Sequence, residues 1–269
     1  MGATDLGNNE KRKLISRIGI GAKGIVYLLV GGLTAWAAFG SGGKKTGSEG
    51  VFKFLENQAF GQLMLGVLIV GLACYIFWRL FQTFSDPEDK GADKEGLGRR
   101  IGYFSSGVFY LLVIYSAIEM LLNLGGGNGG SGGKESLIQK LLNQDYGQWL
   151  VVGVALIFLG KALWQLYRAY SGKFKDKIEE TGLDYNSRRL VYTSGLVGYT
   201  ARGLVVGVIA FLTVKAALSY QASKSGGTKD AFQFVQDEFG SIVLGVIALG
   251  LVCYGIFIMI KARYREMNF

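Results

Sequence analysis

Three cations stand inside stretches that are otherwise almost wholly apolar. Lys23 sits in IGIGAKGIVYLLVGG, Arg202 in YTARGLVVGVIAF and Lys161 in LIFLGKALW. A charged side chain in hydrocarbon costs about 2.5–3.5 kcal/mol at a helix centre, so those that persist mark binding sites or solute paths when they face inward. The chemistry available to them is anion binding, through ammonium and guanidinium donors in a place with little water. The only acid within the apolar stretches is Glu119.

Catalytic chemistry finds less support. The chain has no His, the commonest general base near neutral pH. Its two cysteines, Cys74 and Cys253, are isolated thiols in apolar runs, without metal or disulfide spacing. Carboxylates are nowhere clustered in the apolar part. Gly19 to Gly24 reads GxGxxG, but a dinucleotide site needs a preceding strand and a later acid, and neither is visible. GSGGKKT and GGSGGKES approach a phosphate loop without its full spacing. The expectation is a protein that is not an enzyme, with no catalytic residue, no cofactor and no metal site.

The elements that carry the cations are six apolar segments, at about 18–40, 61–84, 101–124, 147–170, 196–219 and 240–260. Each has roughly the 20 residues that a helix needs to cross a hydrocarbon core of about 30 Å. Backbone groups must be satisfied internally there, so the fold class expected is an all-α membrane protein with six transmembrane helices. The first segment resembles a signal peptide in its basic start and its AWA triplet. It is too long for that role and recurs later in the chain.

Charge sorts the connections. The N-terminal tail, the second and fourth connections, the C-terminal tail and the helix ends at Arg79 and Arg168 hold 18 Lys and Arg, against seven in the other three connections. The positive-inside rule then puts both termini in the cytoplasm of a multi-pass protein of the cell's inner membrane. The net charge of +9 is explained by topology, and no nucleic-acid partner is expected. Trp78 and Trp164 at the inner side, and Trp36 and Trp149 at the outer, read as interfacial belts.

The segments repeat. Shifting the chain by 179 residues lays FGQLMLGVLIVGLACY (60–75) on FGSIVLGVIALGLVCY (239–254), and Gly19, Ala22, Gly24 and Val26 on Gly198, Ala201, Gly203 and Val205. The middle third joins more weakly, through Gly102, Gly107 and Tyr110, then Gly147, Gln148 and Trp164. Three parallel two-helix repeats follow, arranged as a pseudo-threefold bundle. The chain divides into a cytoplasmic tail 1–16, repeat one 17–84, a cytoplasmic linker 85–100, repeat two 101–170, a linker 171–195, repeat three 196–263 and a tail 264–269. Each outer connection has a Gly-rich turn followed by a short amphipathic helix. Its apolar face is Leu137, Ile138, Leu141 and Leu142 in the second repeat, and Phe232, Val235 and Phe239 in the third.

These units, the Gly-rich outer turns, the Phe-Gly and Tyr-Gly junctions, the DPE at 86–88 and the WQLYRAYSGKF run resemble one family of bacterial integral membrane proteins. That family consists of three tandem copies of a domain of unknown function. The resemblance implies the architecture from about Arg17 onward and implies no activity.

Repeat register gathers the polar residues. Lys23, Ser106 and Arg202 share one position, and Tyr75, Lys161 and Tyr254 another. Lys23 lies roughly 9 Å beyond Arg17, and Lys161 roughly 13 Å before Tyr170, at 1.5 Å per residue. The six residues form the candidate site for an anion or other ligand in the inner half of the bundle. Snorkelling to the headgroups is the competing account of Lys23 and Arg202. Glu119 and Lys215, nearer the outer end, form a candidate interhelical pair, with outward snorkelling as the competing account. The function expected is binding or transport of a small anionic solute, ion or lipid in the bundle interior. The alternative is a structural or accessory membrane protein. Membrane lipids are the expected partners, with a small anionic ligand.

Overall fold

The computed structural model describes residues 3–40, 47–85, 94–122, 146–172, 185–219 and 227–264. All of its regular structure among these is α-helix: α1 (Ala3–Ala38), α2 (Ser48–Glu56), α3 (Gly61–Phe84), α4 (Lys94–Leu121), α5 (Gly147–Tyr170), α6 (Tyr185–Ser219) and α7 (Thr228–Tyr264). Among the described residues five helices are long and apolar enough to cross a membrane: Glu10–Ala38 of α1, all of α3 and α5, Arg188–Ser219 of α6, and α7. The remaining long helix, α4, is mostly apolar from Val108 to Ile118, with glycine, serine and charge toward its ends. Three helices begin before their apolar stretches do, α1 at Ala3, α4 at Lys94 and α6 at Tyr185. Residues such as Lys, Arg and Glu, which populate these starts, are good helix formers outside lipid as well.

The short outer helices are present in two repeats. In the first, α2 is followed by a turn at Asn57–Phe60, where Phe60 takes a positive φ of 61°. In the third, the short helix runs directly into α7 and bends at Gly240, whose φ of 84° and ψ of 170° suit glycine. VFKF at 51–54 and AFQF at 231–234 carry the same load: Val51, Phe52, Ala231 and Phe232 are wholly buried. The apolar face expected at Leu137, Ile138, Leu141 and Leu142 lies outside the described residues.

The helices pack in the order α4–α3–α1–α7–α6–α5, each along the next, with α2 laid across α1, α3 and α4. Within the first and third repeats the two long helices meet at equivalent glycines. A methyl group on Gly19 would strike the Tyr75 backbone nitrogen, and one on Gly198 would fall 2.5 Å from Tyr254 Cα. Gly71 likewise admits Ala22, and Gly250 admits Ala201, with a built methyl at 2.6 and 2.5 Å from their Cβ atoms. Such small residues let membrane helices approach closely, where dispersion replaces the missing hydrophobic drive.

Contacts between repeats follow one rule. The first helix of each repeat turns a glycine toward the second helix of the preceding one. Gly24 meets Gly255 and Met259 of α7, Gly107 faces Arg79 and Leu80 of α3, and Gly203 meets Ala162 and Leu166 of α5.

The middle repeat breaks the pattern. Among the described residues α4 and α5 do not pack along each other. Gly102, the counterpart of Gly19 and Gly198, has open space where its equivalents are pressed against backbone. One expectation needs correction. Trp78 is 1% exposed and packs against Phe81 inside the bundle, so it is a core residue and no part of an interfacial belt. Trp36, Trp149 and Trp164 are exposed.

Candidate functional site

Lys23 does not snorkel. Its side chain is 4% exposed, and its Nζ donates to the Tyr75 hydroxyl at 2.9 Å. Arg202 does the equivalent in the third repeat, with one guanidinium nitrogen donating to the Tyr254 hydroxyl at 2.6 Å. The two pairs share a sequence separation of 52 residues. Both follow from the glycine contacts one turn away. Gly19 and Gly198 draw the helices together, and the cations four residues later then reach across to the tyrosines.

Further residues join this layer. Arg202 Nε donates to the Tyr27 hydroxyl at 2.9 Å. Arg79, one turn from Tyr75, donates its Nε to the same Tyr75 hydroxyl at 2.8 Å and a terminal nitrogen to Gln82 Oε1 at 2.8 Å. The tyrosine rings are packed edge to face, Tyr27 on Tyr254 and Tyr75 on Tyr110, both with centroids 4.8 Å apart. Their faces receive the cations. Lys23 Nζ lies 4.8 Å from the Tyr75 centroid and 5.5 Å from that of Tyr110. Arg202 lies 4.9 Å from Tyr254 and 5.2 Å from Tyr27, and Arg168 lies 5.2 Å from Tyr199. Each such contact contributes about 0.5–2 kcal/mol, more where water is excluded.

Lys161 sits in α5 with its Nζ 5.9 Å from the ring of Phe109 on α4. Its register partners Tyr75 and Tyr254 are hydroxyl bearers, while Ser106, on the opposite helix, takes the place of Lys23 and Arg202. Each repeat therefore carries one cation and one hydroxyl at these two positions, with the roles exchanged in the middle repeat. Ser106 is half-buried, and its hydroxyl takes part in none of the hydrogen bonds just described.

The electrostatics are one-sided. The charges acting most strongly on Lys23 are Arg202, Arg79, Lys161 and Arg168, all cations. The Arg202 guanidinium is held by neutral groups, the hydroxyls and rings of Tyr27 and Tyr254. Donors also outnumber acceptors. An ammonium has three N–H groups and Lys23 uses one; a guanidinium has five, of which Arg202 and Arg79 use two each. The Tyr75 oxygen already accepts twice. An oxyanion, with several lone pairs and negative charge, matches what the layer lacks.

Other candidates fall elsewhere. Lys215 is exposed on α6 and lines a shallow cleft with Phe211, Val214, Leu218 and Ser219. The side chain of Glu119, its expected partner, lies outside the described residues. Cys74 and Cys253 are free thiols, half-buried in α3 and α7. Among the described residues no group of three or more His, Cys, Asp or Glu is placed to hold a metal.

Sequence reading misses Tyr27, Tyr110, Arg79, Gln82 and Arg168. A signal for each exists. Tyr27 and Tyr110 share a register position. Arg79 and Gln82 lie four and seven residues after Tyr75, and Gln165 and Arg168 stand at those distances from Lys161, with the arginine and glutamine exchanged. Residues at i, i+4 and i+7 lie on one face of a helix, so each helix carries one polar stripe.

Comparison with known proteins finds three successive copies of one unit along the chain. The family described as Domain of Unknown Function (DUF1206) matches three times, at residues 18–86, 101–172 and 197–265. The "Uncharacterized protein YxxB" of Bacillus subtilis (strain 168) is 28% identical over 257 residues, covering 95% of this chain and 92% of that protein. No solved structure matches. With its whole membrane part accounted for by three successive copies, the chain belongs to the DUF1206 family.

Proposed function

We propose that this is a six-span protein of the bacterial inner membrane, with three parallel hairpins around a pseudo-threefold axis and both termini cytoplasmic. The sixth span is α4, which lies along α3 as the other first helices lie along their neighbours. The function is to hold a small anionic group, whether solute, ion or lipid headgroup, at the cation layer. It is not an enzyme and needs no cofactor.

The observation that carries the reading is the layer itself. Lys23, Arg79, Lys161, Arg168 and Arg202 repel one another inside an apolar bundle, and their hydrogen bonds to protein leave donors unused. An unpaired buried charge is strongly destabilising, whereas one matched by an opposite charge is tolerated. Native mass spectrometry of gently solubilised protein tests this. The parent should retain an anionic species that Lys161→Met loses while remaining folded. A parent without such a species removes the reading.

A structural role is favoured by a separate observation. Tyr75, Tyr110 and Tyr254 are each 2% exposed or less, so the interior at this level is largely filled by side chains. In that case the tyrosine–cation contacts fix helix packing alone, and Lys161→Met is simply more stable than the parent.

A further inference from the structure

Among the described residues, the long helices of the first and third repeats are closed on each other, and those of the second are not. Gly19 and Gly198 lie against backbone, while Gly102 lies against nothing. Near the cation layer Lys161 reaches across this seam, over the Phe109 ring. Among the described residues, nothing packs α4 closely onto α5 at the helix that carries Lys161 and, seven residues later, Arg168. These two share a helix face. They mark a path of roughly 10 Å along α5, from Arg168 to the depth of Lys161, at 1.5 Å per residue.

We infer that the α4–α5 seam is a lateral entry through which an acidic phospholipid places its phosphate among Lys161, Arg168 and Arg202. The inference rests on the anion-holding reading above and names its ligand class. The occupant follows from the geometry. The opening lies between two membrane helices, so what reaches it first is lipid. Charge complementarity favours an anionic headgroup, since Lys161 and Arg168 stand on the seam helix and Arg202 on α6, which packs along it. A phosphodiester supplies the acceptors that the unused ammonium and guanidinium hydrogens need. Exposed apolar side chains on both helices, among them Phe104 and Val108 of α4 and Ile157 and Leu163 of α5, suit the acyl chains.

Photo-cross-linking in vesicles tests this. p-Benzoylphenylalanine replaces Phe109 at the seam or, as a reference, Val67, which is exposed on α3. The vesicles are phosphatidylglycerol and phosphatidylcholine mixed at about one to four. Phosphatidylglycerol adducts at position 109 should be enriched about fivefold over those at 67, the weight of one basic residue near an anionic headgroup. Lys161→Met with Arg168→Met should remove that enrichment. Adducts at 109 that mirror those at 67, or the absence of lipid adducts there, overturn the lateral entry. Retention of inorganic phosphate by delipidated protein separates the outcomes. Phosphate retained without lipid enrichment leaves the anion site standing and this inference refuted. Neither phosphate nor enrichment refutes both.

Discussion

Lys23 and Tyr75 stand 52 residues apart and are joined by a buried hydrogen bond of 2.9 Å. Arg202 and Tyr254 repeat the pair at the same separation. The internal repeat therefore preserves a polar interaction as well as a fold. The two pairs are not equal in what depends on them. Tyr75 accepts from both Lys23 and Arg79, whereas Arg202 has Tyr27 as a second acceptor.

That difference gives the first prediction. Tyr75→Phe should cost about 1–3 kcal/mol for stranding buried donors, and Tyr254→Phe clearly less. Thermal melting in detergent measures both. Equal losses would mean that Tyr75 is not shared between two cations.

The second concerns the glycines. Gly19→Ala and Gly198→Ala place a methyl against backbone, which cannot swing aside, and should each cost about 1–3 kcal/mol. Gly102→Ala meets open space and should be neutral, or stabilising by up to about 1 kcal/mol through helix propensity. A loss at Gly102 as large as at Gly19 would show that the middle hairpin is closed like the others.

Topology is the third. In a background with Cys74→Ala and Cys253→Ala, a cysteine replacing exposed Asn57 should label with an impermeant reagent in intact cells. One replacing exposed Ser85 should label only after lysis. The reverse pattern would invert the assignment. Arg100 already closes the Ser85 side locally, donating to the last carbonyls of α3 at Thr83 (2.7 Å) and Phe84 (3.3 Å), where a cation also suits the helix dipole.

How much of this was legible depends on the kind of contact. The helices and the three repeats are written in apolar length and in the 179-residue shift, both local and periodic. The Lys23–Tyr75 and Arg202–Tyr254 pairs follow from register, because two identical hairpins must bring the same positions together. Arg79 is misjudged by that logic. Position near a helix end assigns it to the charge pattern of the inner face, while its i+4 relation to Tyr75 draws it into the layer. Trp78 is misjudged likewise, since tryptophan near an interface and tryptophan in a core read alike. The α4–α5 seam is invisible in sequence. Gly102 matches Gly19 in type, and what differs is the partner helix, whose middle-repeat sequence has Ile157 where Gly71 and Gly250 admit an alanine.

The last prediction asks whether an anion stabilises the layer. If it binds the folded bundle alone, it raises stability by RT ln(1 + [L]/Kd), about 2.7 kcal/mol at a hundredfold excess over Kd. Phosphate or phosphatidylglycerol should then raise the melting temperature of the parent, while neutral phosphatidylcholine should not. Lys23→Met separates this from mere packing. Lys23 has one hydrogen-bond acceptor and four cationic neighbours. In the absence of anion, its removal relieves repulsion, so the variant should melt at or above the parent. With anion present the order should reverse, because the parent gains more from the ligand than the variant does. A crossing of the two melting curves with added anion is the expected result. Parallel curves, with Lys23→Met the more stable throughout, would leave the cations as packing residues held by tyrosine alone.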